Sequence, residues 1–519
     1  MVRNKKDSSL NMIVIIIGLT LIAKVVGLLR DTFIGHNLGA DFESDVFFMA
    51  LSLTTSVFLG IGSAIATNII PIFVRYRKNQ EDTKGISSIF NVVILLSVLM
   101  GVAYYIAAPW VVKLFATGYT GEKLQMTIQM TRIMIPSILF ISLTYLFVGA
   151  LQAHEKFILP ALISFPYNII FFIYLAVGIE KDGIAGLAFI TMIGWLLQMI
   201  VLAPSVIKHK LVPLMGHIDF KHPALKGFFV GIIPIILVTL THQFNIVIDN
   251  KAASFLGDGN VSAIYYGNML FKAIVTTTVY GITAVMFPKF NEKFLDENHE
   301  GLYQSVINVL RSVLLLLIPM SIGLILTGPY VITLIFERGV FDASGTIATT
   351  IAFTGYTSFM IAFGFIDVLN KAYYTLGIRK IPLLIGGFII LVNIGLNNLL
   401  VGKYGFAGIA NGTSIAFYCG AILSFFLFSR QFNSFPLHRF FNTLFKTLMA
   451  AVVMGGGVYM LNQYLNPILS TSTKGNLAII GIDILIGMII YGLTLILLKE
   501  QLIYNIYKQL LSRFKKRHV

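Results

Sequence analysis

Lys181-Asp-Gly-Ile-Ala-Gly-Leu-Ala188 returns 222 residues later as Lys403-Tyr-Gly-Phe-Ala-Gly-Ile-Ala410, with the lysine, both glycines and both alanines in register. A second match lies upstream at an offset of 218: Leu38-Gly39, Ser44 and Phe47-Phe48 stand opposite Leu256-Gly257, Ser262 and Tyr265-Tyr266. Asp31 falls on Asp249 at the same offset. Two matches in the same order, at nearly equal offsets, mark an internal repeat.

The sequence around these matches is apolar. Of the 519 residues, 57% are hydrophobic and 12% charged, and the mean hydropathy is +0.84. Soluble domains carry roughly 25% charged residues, so this composition excludes one large soluble core. A bilayer span needs about 20 apolar residues in a helix, and a barrel strand needs alternation that these runs lack. The reading is therefore all-α, with about 14 transmembrane helices. In numbers, the first repeat holds spans at 11–37, 44–74, 86–108, 126–153, 158–179 and 183–207. The second holds 227–256, 261–287, 306–326, 347–376, 381–401 and 405–428, and a C-terminal pair follows at 444–461 and 477–498.

Six spans per repeat make both repeats enter from the same side, as parallel repeats do in transporters. The expected organisation is an N-terminal lobe at 1–207, a cytoplasmic linker at 208–226 and a C-terminal lobe at 227–430. Helices 13 and 14 occupy 431–498, and a basic tail runs over 499–519. The first run reads as a span and not as a signal peptide, because Lys24 and Arg30 lie inside it. The lone Cys419 excludes an internal disulfide or a cysteine metal cluster.

The net charge of +15 is distributed by topology. Twenty-four of the 38 Lys and Arg residues fall on the side of the termini, and six fall on the other: Lys113, Lys123, Lys181, Arg338, Lys403 and Lys474. The positive-inside rule then places both termini in the cytoplasm and accounts for the basic excess without nucleic acid. The tail shows Leu502, Ile503, Ile506, Leu510 and Phe514 on one side, as an interfacial helix would; an ordinary topogenic basic tail is the equal alternative.

Ionisable groups inside spans cost several kcal/mol unless they are paired or face a wet cavity. They concentrate in the first two spans of each repeat: Lys24, Arg30, Asp31 and Asp45, then His242, Asn245 and Asp249 on one stripe, and Lys272. This pattern points to a polar cavity for an anionic substrate, since Arg and Lys match phosphate in charge and geometry. An internal Arg30–Asp45 ion pair is the plain structural alternative. Asp367 and Lys371, four apart, are expected to neutralise each other, and Arg132, Arg311 and Lys446 to snorkel.

The run Lys24-Val-Val-Gly-Leu-Leu-Arg30-Asp31, with Gly39-Ala40, Ser44-Asp45-Val-Phe-Phe and Ile70-Pro71-Ile-Phe, resembles the start of the MurJ lipid II flippases. These belong to the multidrug/oligosaccharidyl-lipid/polysaccharide exporter superfamily. Tyr265-Tyr266, Phe287-Pro288 and Arg379-Lys380 before Pro382 extend the resemblance along the chain. It implies alternating-access flipping of an undecaprenyl-pyrophosphate-linked peptidoglycan precursor across the bacterial plasma membrane. It also implies a tail groove at the last two helices; no enzymatic step is expected, because the sequence shows no extended soluble domain, metal-ligand cluster or phosphate-cradling glycine loop, and a coupling ion is kept among the partners. By match to the motif the resemblance brings Lys24, Arg30, Asp31 and Asp45 into the substrate-binding set, and the polar stripe and span lysine of the second repeat add Asn245, Asp249 and Lys272. Lys24 stands where the family usually has Arg, the second span lacks the family's cavity arginine, and Met269 replaces another, with Lys272 one turn on.

Two rivals remain: a flippase for another polyprenyl-linked oligosaccharide, and a cation-coupled drug exporter. The second would need unpaired carboxylates, and here cations accompany the acids of the first lobe.

Overall fold

The computed structural model describes residues 2–79, 84–209, 211, 218–431, 437–469 and 472–504. The described residues are helical, in chain order α1 Val2–Leu38, α2 Phe42–Leu51, α3 Val57–Asn79, α4 Lys84–Phe115, α5 Gly121–Met134 and α6 Ser137–Ala153. Then come α7 Ile158–Ala161, α8 Ser164–Val177, α9 Ile179–Lys208, α10 Pro223–Ala253, α11 Asn260–Leu295 and α12 His299–Phe336. The chain closes with α13 Ala343–Ser358, α14 Met360–Thr375, α15 Lys380–Tyr404, α16 Phe406–Ser429, α17 Leu437–Leu469 and α18 Thr473–Leu497.

Twelve of the helical stretches are long and apolar enough to cross a membrane, and the bent pair α13–α14 makes a thirteenth. The first expected span lies in α1 and is not among them. Most of the tail expected to lie on the membrane surface, and part of the linker, fall outside the described residues.

The apolar faces point outward as well as inward. On α4, Leu99, Val102, Ile106 and Trp110 are each more than half exposed, while Ile86, Ile89, Phe90 and Val93 are buried. An exposed apolar stripe of this length suits lipid and not water.

Two compact units result: Met1–Tyr265 with Arg338–Gly345, and Tyr266–Glu337 with Thr346–Val519. In the first unit, α3 packs on α6 and α10, and α9 packs on α6 and α8. Gly149 sets the α3–α6 distance, since a Cβ there would lie 2.4 Å from Ile69 Cγ2; small residues allow such close approach in membranes. In the second unit, α15 and α16 form a hairpin, and α12 packs on α14, α17 and α18.

The repeat reappears as backbone geometry. Gly183 sits at φ 53, ψ −143, and Gly405 at φ 54, ψ −131. That region is open essentially to glycine alone. Gly39 and Gly257, the partners in the other match, both have positive φ, at 62° and 97°.

Candidate functional site

The site begins where α1 stops. Gly39 takes a left-handed conformation and its N–H closes on Gly35 O (2.8 Å), the usual way a helix ends at glycine. Asp41 then caps α2: its carboxylate accepts from the Phe42 N–H, while Ser44 Oγ accepts from the Asp41 N–H. This capping box puts Asp45 in the first turn of α2, fully buried.

Both carboxylate oxygens of Asp45 are used. Oδ2 accepts from Lys123 Nζ (2.9 Å) and the Gly259 N–H (2.9 Å). Oδ1 accepts from the Ser262 N–H (2.8 Å) and the Ser262 hydroxyl (2.9 Å). Asp45 thus caps the start of α11, where the helix dipole favours an anion. Lys123 also donates to Asp258 Oδ1 (2.6 Å) and lies 4.3 Å from the centre of the Tyr119 ring. Burial, and then the charges of Asp45 and Asp258, hold the Tyr119 phenol neutral, well above its usual range. Two glycines let the strands of this clasp meet. A Cβ at Gly259 would come within 2.4 Å of Ala40 O, and one at Gly118 within 2.0 Å of Ser254 O.

A second cluster forms on α1. Arg30 Nη2 pairs with Asp31 Oδ1 at 2.6 Å, and its guanidinium carbon stands 5.2 Å from the Tyr167 ring centre and 5.3 Å from that of Phe171. The Tyr265 hydroxyl reaches Asp31 Oδ1 at 3.4 Å. Neighbouring residues in a helix rarely pair; here two aromatic faces on α8 fold the guanidinium back toward Asp31.

The alternative Arg30–Asp45 pair is not formed, because Lys123 has taken Asp45 and Arg30 has taken Asp31. Asn245 and Asp249 are buried on α10, and Asn245 Nδ2 donates to Thr241 O (2.9 Å). Lys24 on α1 and Lys272 on α11 are exposed. The side chain of His242 lies outside the described residues. Arg30, Asp31 and Asp45 are therefore held by built contacts.

Lys123, Asp258 and Ser262 were missed from sequence. Lys123 read as one of the six loop cations, yet it is 8% exposed. The usable signal was a basic residue on the side that carries almost none, with Asp258 inside the glycine turn Gly257-Asp-Gly259.

One further expectation is corrected. Arg311 does not snorkel: it is buried, paired with Glu500 (3.2 Å) and bonded to Thr443 Oγ1 (2.8 Å), because α17 and the residues after α18 enclose it. Lys371 lies over the Phe287 ring at 5.7 Å and within electrostatic reach of Asp367, in keeping with the expected mutual neutralisation.

A multi-span α-helical fold with repeated halves and a charged cluster inside its spans defines a membrane transporter. Residues 34–476 match the family model described as lipid II flippase MurJ, and the chain belongs to that family. It is 26% identical over 453 residues to the lipid II flippase MurJ of Burkholderia cenocepacia, covering 85% of this chain and 87% of that protein. It is 28% identical over 470 residues to a probable lipid II flippase MurJ of Buchnera aphidicola subsp. Baizongia pistaciae, covering 88% and 90%. Among solved structures, a lipid II flippase MurJ in an inward closed conformation matches with TM-score 0.78 at 22% identity, covering 94% of this chain and all of that one. A multidrug resistance MATE family transporter in an inward-facing conformation matches with TM-score 0.69 at 16% identity, covering 80% and 97%.

Proposed function

We propose that this chain is a flippase that moves lipid II, the undecaprenyl-pyrophosphate-linked peptidoglycan precursor, across the bacterial plasma membrane by alternating access. It is a multi-pass transporter and not an enzyme. The observation that carries the mechanism is the clasp of buried Asp45, Lys123 and Ser262, closed on its outside by the exposed Asp258. By the charge count the loops that bear it face outward, so the clasp acts as an outer latch inside the first unit. A buried ion pair with every lone pair engaged holds one conformation firmly and is lost as a whole when the ends part.

In this reading the lobes are 1–207 and 227–430, with both termini cytoplasmic. Arg30 is the fixed cation for the diphosphate, and Asp31 and Tyr265 hold it in place. Lys24 and Lys272, exposed and flexible, follow the charged headgroup as it moves. Asn245 and Asp249 line the same path on α10. A cation-coupled drug exporter would present a free acid at the first helix, whereas Asp31 is already neutralised by Arg30.

The deciding experiment is complementation of a bacterium depleted of its own lipid II flippase, with outer-leaflet lipid II measured directly. Restored outer-leaflet lipid II is the expected result. A well-inserted chain that leaves lipid II inside would move the assignment to another polyprenyl-linked glycan.

A further inference from the structure

The C-terminal helix pair holds a carboxyl group that the transport reading does not use. Asp483 is the eleventh residue of α18, about 15 Å along the helix and so deep in the bilayer. It is 3% exposed, and its contact is with Asn462 of α17, whose Nδ2 donates to Asp483 Oδ2 at 3.0 Å. Among the described residues no ion pair includes Asp483.

Two buried oxygens at this contact have no hydrogen-bond partner among the described residues: Asp483 Oδ1 and Asn462 Oδ1. Both belong to the same pair of planar groups. If Asp483 is ionised, two acceptors lie side by side in hydrocarbon, which costs several kcal/mol. If Asp483 is protonated, its hydroxyl becomes a donor, and the amide oxygen of Asn462 is the acceptor it needs. A carboxylic acid and a primary amide close a ring of two hydrogen bonds. The amide N–H donates to one acid oxygen, and the acid O–H returns to the amide oxygen. The first bond is present, and one proton completes the second and satisfies both orphaned atoms.

We propose that Asp483 is a proton-binding site of the C-terminal helix pair, a neutral acid closed in a ring with the Asn462 carboxamide. Among the described residues its surroundings supply no competing cation. From α12 the titratable group is Tyr330, which lies within electrostatic reach of Asp483 and whose hydroxyl donates to Asn466 Oδ1. The charges of α12 are His299, Glu300 and Arg311, and those of α17 are His438, Arg439 and Lys446; each stands more than roughly four helical turns from the level of Tyr330 or Asn462. On α18 itself Lys474 is more than two turns away, near the helix start.

The site does not depend on the substrate, but its role in a transport cycle rests on the flippase reading. Infrared difference spectroscopy of the full chain in vesicles, at neutral pH and in choline chloride, separates the two. A protonated-carboxyl stretch should be present, absent in Asp483→Asn and moved to higher frequency in Asn462→Leu, where the ring is lost. Asp483→Asn keeps an amide pair, so the fold is retained. A band that Asp483→Asn leaves unchanged would overturn the proposal, as would loss of the band when sodium replaces choline, which would assign the oxygens to a cation. If the band behaves as expected and complementation fails, the flippase reading falls and the proton site stands. With both intact, Asp483→Asn should flatten the dependence of flipping on pH.

Discussion

Asp45 is a carboxylate with five polar atoms in its neighbourhood committed to it or to its lysine, and each is a place to break the latch. Removing the acid strands Lys123 beside Asp258 alone and leaves the Gly259 and Ser262 N–H groups without their acceptor. Breaking one side of a buried pair costs about 3–5 kcal/mol. Asp45→Ala should therefore shift the population away from the latched state by roughly a hundredfold or more. The measurement is alkylation from outside of a cysteine placed at Ala40, in a Cys419→Ser background: faster labelling in Asp45→Ala is expected, and equal rates would remove the clasp from gating. Arg30 tests the other function. Arg30→Ala should abolish rescue while the protein remains in the membrane, because no other cation is held by Asp31 and two aromatic faces. The double swap Arg30→Asp with Asp45→Arg should not rescue either, since the two residues have different partners. Recovery of flipping by that swap would mean that they pair in a state other than this one.

Helices in this chain are tied by a few polar fasteners and a few glycines, and both were unequally legible. The repeat glycines could be read because only glycine serves there: Gly183 and Gly405 share a backbone geometry that a side chain opposes, and the sequence keeps them in register. A Cβ at either meets nothing within 4 Å, so the cost of alanine is conformational alone, about 1–3 kcal/mol each. Gly183→Ala and Gly405→Ala should each lower the thermal unfolding midpoint, and the losses should add because the sites are independent. The Arg311–Thr443–Glu500 fastener could not be read, because its members are far apart in sequence and their meeting is set by packing. Thr443 accepts from Arg311 and donates to Glu500 Oε1 (3.1 Å), while Glu500 Oε2 accepts from the Leu502 N–H (2.7 Å). Glu500→Leu should destabilise by about 3–5 kcal/mol, and Arg311→Met added to it should recover most of the loss, as replacement of whole buried pairs does. A single variant as costly as the double would show that the carboxylate matters for capping after α18 and not for the arginine.

At the scale of the molecule, composition carried the fold, since lipid imposes helices, while the charge asymmetry of the loops gives an expected sidedness. The same reasoning misjudged Lys123, because a count treats every loop cation as solvated and cannot see one buried against two acids. The asymmetry survives without it: five basic residues remain on that side against 24 on the other. The proposed flippase cycle depends on this orientation, for in it a precursor loaded from the cytoplasm meets Arg30 while the outer latch is shut. Single cysteines in a Cys419→Ser background settle the sidedness. Cysteines replacing Lys181 or Lys474 should react with a membrane-impermeant maleimide added to intact cells, and a cysteine replacing Lys380 should react only after the membrane is opened. The reverse pattern would put the clasp on the cytoplasmic face. Arg30 would then lie nearer the other membrane surface, and the clasp could not act as an outer latch.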